Sequence, residues 1–168
     1  MIIFVTGGVK SGKSRYAHNL AKNLSDNPVY VATAKIWDDE FKERVQRHQS
    51  DRGPEWENFE ETHAVSSLPI DNKTVVVDCL TLWLTNFFID HKQNIDSCLT
   101  QFKFEIDQLM EKAGTFILVS NEIGMGVHAE TAIGRRFTDL QGLANQYVAQ
   151  KAQKVILMVS GIPLTVKE

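Results

Sequence analysis

Cysteine, charge of one sign and long apolar runs are all scarce in these 168 residues, and each shortage removes a class of protein. Two cysteines, Cys79 and Cys98, make neither a disulfide framework nor a zinc site. A formal charge of −3 leaves no electrostatic footprint for nucleic acid or for an anionic membrane. No apolar run approaches the roughly 20 residues that cross a bilayer. No basic n-region or cleavage site opens the chain, so a cytoplasmic protein is expected. His18, His48, His63, His91 and His128 include no H-x-x-x-H pair, the spacing of a helical metal site. What remains is ordinary globular composition, 43% hydrophobic and 23% charged, at a length that suits one domain over 1–168.

The most informative segment is present near the start. Gly7-Gly8-Val9-Lys10-Ser11-Gly12-Lys13-Ser14 follows the apolar run Ile2–Thr6 and precedes an amphipathic stretch. This is G-x-x-x-x-G-K-[ST] in a strand–loop–helix setting, the phosphate-binding P-loop. Its glycines let backbone N–H groups turn inward around phosphate oxygens, and the next helix aims its positive end at the same point. Lys13 is placed to reach the β/γ-phosphates, and the Ser14 hydroxyl to sit on Mg²⁺.

The remaining pattern alternates strands with helices. Tyr16, Ala17, Leu20, Ala21 and Leu24 recur at helical spacing, and Asp26-Asn27-Pro28 ends that helix. Val29–Thr33, Thr74–Asp78, Thr115–Ser120 and Val155–Val159 read as buried strands. Helices are expected over Trp37–Gln49, 95–113 and Thr138–Lys151, with Leu80–Ile89 a buried helix or a contact surface. Residues 57–72 give only a short strand or loop. Continuous apolar strands separated by helices predict an α/β fold with a mostly parallel sheet covered on both faces.

Several polar residues stand where such a sheet binds ligands, outside the carboxyl ends of its strands. Asp78 ends a strand about 65 residues after the P-loop, where a P-loop enzyme places the acid that holds Mg²⁺; it also suits the N-cap of the helix from Leu80. Asn121 and Glu122 follow the fourth strand, placed to orient a substrate hydroxyl or simply to cap a turn. Arg135 and Arg136 suit either the charge of a transition state or a solvated helix face. His48, flanked by Arg44, Arg47 and Arg52, is either a surface histidine or an imidazole nucleophile beside a triphosphate.

In order along nearly the whole chain, the P-loop block Thr6–Arg15, Tyr30–Ala34 with Asp38-Asp39-Glu40, Arg44–Arg52 with Trp56, Val77–Asn86, Val119–Gly126 with Arg135-Arg136-Phe137 and Asn145-Gln146, and Val159–Leu164 resemble the bifunctional adenosylcobinamide kinase / adenosylcobinamide-phosphate guanylyltransferase family. The resemblance implies a RecA-like P-loop three-layer sandwich that assembles as a homotrimer. It implies phosphorylation of the aminopropanol hydroxyl of adenosylcobinamide by ATP or GTP, then transfer of GMP from GTP to that phosphate through a guanylylated histidine. His48 occupies that position. Nucleotide contacts carry over to the P-loop, to Thr33, Ala34 and Lys35, to Gln49, Ser50, Asp51 and Arg52, and to Glu60 and Asp78. Two departures stand out. Val127–Thr131 replaces a valine–proline–acid turn, and Arg47 stands where some members carry a second histidine. A different small P-loop kinase or a non-catalytic nucleotide switch are the competing readings.

Overall fold

The computed structural model describes residues 1–35 and 53–168. The helix expected over Trp37–Gln49, with His48 and Gln49–Arg52, lies outside the described residues. Strands β1 (Ile2–Gly7), β2 (Val29–Ala32), β3 (Glu57–Glu60), β4 (Lys73–Asp78), β5 (Gly114–Val119), β6 (Lys154–Val159) and β7 (Ile162–Lys167) form one sheet, in the order β3-β2-β4-β5-β1-β6-β7. All neighbouring pairs are parallel except β6 and β7.

The apolar strands owe their composition to burial on both faces. Ile2 and Phe4 of β1, Val75 and Val77 of β4, and Phe116 and Leu118 of β5 point into one core. There they meet α2 (Leu80–Asp90), α3 (Ile95–Glu111) and α4 (Ala132–Lys151) through Trp83, Phe87, Phe102, Ile106, Leu140 and Val148. The alternate residues Ile3, Val5, Val76, Ile117 and Val119 point the other way, against Ala17 and Ala21 of α1 (Lys13–Leu24). Side chains that alternate along a strand thus fill two cores, which makes the three-layer sandwich. Phe102 is fully buried, its ring edge-on to Trp83 at 5.5 Å. Phe102→Ala is expected to cost about 3–5 kcal/mol, read as a lower urea midpoint at unchanged slope.

Two elements differ from the sequence expectation, and a third, the short strand or loop expected over 57–72, takes a definite form. Helix α4 starts at Ala132 rather than Thr138, because Thr131 caps it by accepting from the Gly134 N–H at 3.0 Å. Its first turns are exposed, so the apolar period that marks the rest of the helix does not extend over them. The weak 57–72 segment resolves into β3 and a single 3₁₀ turn over Val65–Ser67. Strand β7, absent from the expected set, returns antiparallel to β6 through the two-residue loop Ser160-Gly161. Both loop residues have positive φ, 50° and 84°, as a type I′ hairpin turn requires. Pro163 is tolerated because β7 is an edge strand and fully exposed.

Candidate active site

The phosphate cradle is built where β1 meets α1. Gly7 (φ 148°), Lys10 (φ 56°) and Gly12 (φ 96°) take backbone conformations that fold N–H groups to one side, as an anion nest does. At Gly7 a side chain is excluded outright, since a Cβ there would lie 2.5 Å from the Met158 carbonyl oxygen of β6. Helix α1 is entered through Gly12, which offers no side-chain cap, and its first turn holds no acid. Its leading N–H groups are therefore left for an anion. The Ser11 hydroxyl is buried without a hydrogen-bond partner among the described residues, as suits a group that donates to a phosphate oxygen. The β6–β7 turn braces this loop, with the Gly161 N–H donating to the Ser11 carbonyl at 2.9 Å.

Lys13 is buried and reaches back over the loop to the Gly8 carbonyl at 2.5 Å. Burial pushes its ammonium below the ordinary lysine value, only partly opposed by the neighbouring Cys79, Asp78 and Glu122. Burial, with the neighbouring Asp78 charge, pushes the Cys79 thiol up to about 12, so it is neutral at physiological pH. Asp78 and Glu122 lie near enough to oppose part of that lowering, but burial outweighs them.

Strand register lines up the other candidates. Glu60 and Asp78 both stand beside Ala32, at the carboxyl ends of β3, β4 and β2, and Asp78 pairs with Val119 of β5. From β3 to β1 this edge spans four strand spacings, about 19 Å. Thr33 lies on it but is buried, its hydroxyl donating to the Cys79 carbonyl at 2.8 Å. Asn86 of α2 donates to the Thr33 and Thr62 carbonyls at 2.8 and 3.0 Å, tying the ends of β2 and β3 together. Lys35 and Glu60 are exposed and Ala34 is partly exposed. Asp78 does not cap α2; that place belongs to Cys79, which makes no side-chain cap. The Asp78 carboxylate and the Ser14 hydroxyl form no hydrogen bond among the described residues. An all-oxygen pair of this kind fits Mg²⁺, which takes few protein ligands. Among the described residues no cluster of three or more His, Cys, Asp or Glu side chains is placed to hold a metal.

Beyond β5 the polar residues join in one network. Asn121 donates to the Thr81 hydroxyl from its backbone and side-chain nitrogens at 3.2 and 3.0 Å. Glu122 Oε1 accepts from the Thr6 hydroxyl at 2.6 Å and from Asn145 Nδ2 at 3.0 Å. Asn145 Oδ1 in turn accepts from the Ser120 hydroxyl at 2.8 Å and from Gln141 Nε2 at 2.9 Å. Sequence reading named Thr6, Thr81 and Asn145 only within larger blocks and did not single out Gln141. The available signal was a polar pair four residues apart, Gln141 and Asn145, on the face of α4 that also buries Leu140, Ala144 and Val148. Arg135 donates to the carbonyls of Ala129 and Glu130 at 3.1 and 2.7 Å, holding the loop before α4. Arg136 is exposed on the first turns of that helix. His63 pairs with Asp90 at 2.8 Å, His91 meets Gln101 at 2.6 Å, and His18 packs on Tyr30 and Trp56.

A strand feeding a glycine loop, a lysine at the head of the next helix and an acid two strands away define a P-loop nucleotide-binding protein with a RecA-like α/β fold. The flagellar accessory protein FlaH of Methanocaldococcus jannaschii shares the fold, with a TM-score of 0.51 at 13% identity over 99% of this chain and 77% of that one. The chain belongs to the cobinamide kinase / cobinamide phosphate guanyltransferase family, which matches residues 3–166. It is 36% identical to the bifunctional adenosylcobalamin biosynthesis protein CobP of Pseudomonas aeruginosa, over 97% of this chain and 95% of that one. To the bifunctional adenosylcobalamin biosynthesis protein CobU of Escherichia coli it is 34% identical, over 99% and 100%.

Proposed function

We propose that this chain, as a single domain, carries both reactions of its family. It phosphorylates the aminopropanol hydroxyl of adenosylcobinamide with a nucleoside triphosphate. It then transfers GMP from GTP to that phosphate, giving adenosylcobinamide-GDP and pyrophosphate. The observation that carries this reading is a family match over residues 3–166 that contains a fully formed phosphate cradle. The described residues contain no helix long and apolar enough to cross a membrane. A cytoplasmic homotrimer completes the proposal, by resemblance.

One cradle serves both steps. In the first, Lys13 and the loop N–H groups hold the triphosphate while its γ-phosphoryl passes to the alcohol. In the second, the same groups hold the β- and γ-phosphates as the departing pyrophosphate, and attack falls on the α-phosphorus. His48 makes that attack as the neutral imidazole, forming a bond from ring nitrogen to phosphorus as the α–β bridging bond breaks. The substrate phosphate then displaces the imidazole and takes the GMP. Thr33, Ala34, Lys35, Gln49–Arg52 and Glu60 hold the nucleoside along the sheet edge. Ser14 and Asp78 would hold Mg²⁺, which neutralises charge on the phosphate oxygens when bound.

The test is product analysis. Incubated with adenosylcobinamide, ATP, GTP and Mg²⁺, the protein is expected to release adenosylcobinamide-GDP, identified by mass. With GTP omitted, it should stop at adenosylcobinamide phosphate if ATP drives the first step. Accumulation of the phosphate alone in the complete mixture marks a simple kinase, and no turnover with nucleotide bound marks a switch.

A further inference from the structure

Glu122 is held in a way that a purely structural carboxylate does not need. Its backbone N–H donates to the Gly7 carbonyl at 3.1 Å, which fastens it to the first residue of the P-loop. Oε1 takes two donors, Thr6 at 2.6 Å and Asn145 at 3.0 Å. Asn145 is itself oriented by Ser120 and Gln141, so the carboxylate plane is set from two sides. Oε2 accepts no hydrogen bond among the described residues. Glu122 also lies close enough to Lys13 for its charge to act on the ammonium. Lys13 is the group that marks the β/γ-phosphates in such a loop. An oriented carboxylate with one unused oxygen therefore stands beside the P-loop, within reach of the charge of Lys13.

We propose that Glu122 is the general base of the phosphoryl-transfer step, an inference that rests on the kinase reading above. As the alcohol oxygen bonds to the γ-phosphorus, its proton passes to Oε2. The bond from that phosphorus to the β–γ bridging oxygen breaks, and the nucleoside diphosphate leaves with the electron pair. The proton then returns to solvent. Thr6 and Asn145 are positioning residues, since each acts by holding Oε1. Asp78 is less suited to the task. It stands on β4, with β5 between it and the P-loop strand, and its open carboxylate fits the metal. The guanylyl half-reaction has no alcohol to deprotonate, so Glu122 serves only one of the two steps.

That asymmetry supplies the experiment. Glu122→Gln preserves shape and removes the base. Its kcat for phosphorylation of adenosylcobinamide is expected to fall about 10²–10⁴-fold, with little change in the KM for ATP. Covalent labelling of the protein by α-labelled GTP should persist. Glu122→Asp, which keeps the charge and withdraws the carboxylate, should show the same split and serves if the glutamine variant fails to fold. Wild-type kcat in Glu122→Gln overturns the proposal. So does a parallel fall in both half-reactions, which would place Glu122 in the cradle itself. A wild-type protein that labels but never phosphorylates adenosylcobinamide overturns the kinase reading, and this proposal with it.

Discussion

His48→Ala is expected to take up no label from α-labelled GTP while still phosphorylating adenosylcobinamide. The wild-type protein should label in proportion to its concentration, through a bond that acid breaks and base spares, as befits a phosphoramidate. His48 is the position to which the family resemblance carries the guanylylated histidine, and its chemistry suits that role. Transfer of GMP through the enzyme needs a nucleophile with a free lone pair near pH 7, and imidazole meets that need in its neutral form. Cys79, the thiol nearest the cradle, is buried and pushed up to about 12, so its thiolate is negligible. His63 is engaged with Asp90 and His91 with Gln101, while His18 packs on two aromatic rings. Label that persists in His48→Ala moves the nucleophile elsewhere; label absent from the wild type removes the covalent route.

Lys13→Ala is expected to depress both half-reactions, each by about 10²–10³-fold in kcat/KM, or roughly 3–4 kcal/mol of transition-state stabilisation. The two effects should be similar because the same ammonium faces the β/γ-phosphates whichever phosphorus reacts. Loss of phosphorylation alone would break the shared-cradle mechanism. The wild type offers a second check through pH. Burial lowers the Lys13 pKa, so the free enzyme loses its ammonium at lower pH than an exposed lysine does. The kcat/KM of both steps should therefore decline on the alkaline side. Bound polyphosphate favours the charged form, so the decline in kcat should come at higher pH. In Lys13→Ala this alkaline decline should disappear from both profiles.

Glu122 and Asp78 show how unevenly a site can be read from a chain. Asp78 was visible because it ends an apolar run, and strand ends are where α/β sheets bind ligands. Glu122 was visible as a polar residue after a strand, but its attachment to Thr6 and Asn145 crosses 116 and 23 positions of sequence. No local pattern reports such a pairing. Helix α4 illustrates the same limit from the other side. The apolar period showed the part that buries Leu140, Ala144 and Val148 and missed the exposed turns that Thr131 initiates. Strand β7 was missed because Pro163 argues against a strand unless the strand is known to lie at an edge. Only the assembled sheet supplies that knowledge.

The chain by itself determined the class of chemistry. Strand, glycine loop and Lys13-Ser14 are contiguous, so their geometry follows from local backbone preferences, and the strand–helix alternation follows from burial on two faces. The ordered blocks determined the family as well. The tertiary structure alone decided what lies around the loop. It set the Ser160-Gly161 turn against Ser11, Asp78 and Glu122 within reach of Lys13's charge, and one oxygen of Glu122 locked while the other accepts no hydrogen bond among the described residues. Those arrangements depend on strand order and on side chains meeting across the sheet edge. Strand order is settled by packing of the whole domain rather than by any segment of it.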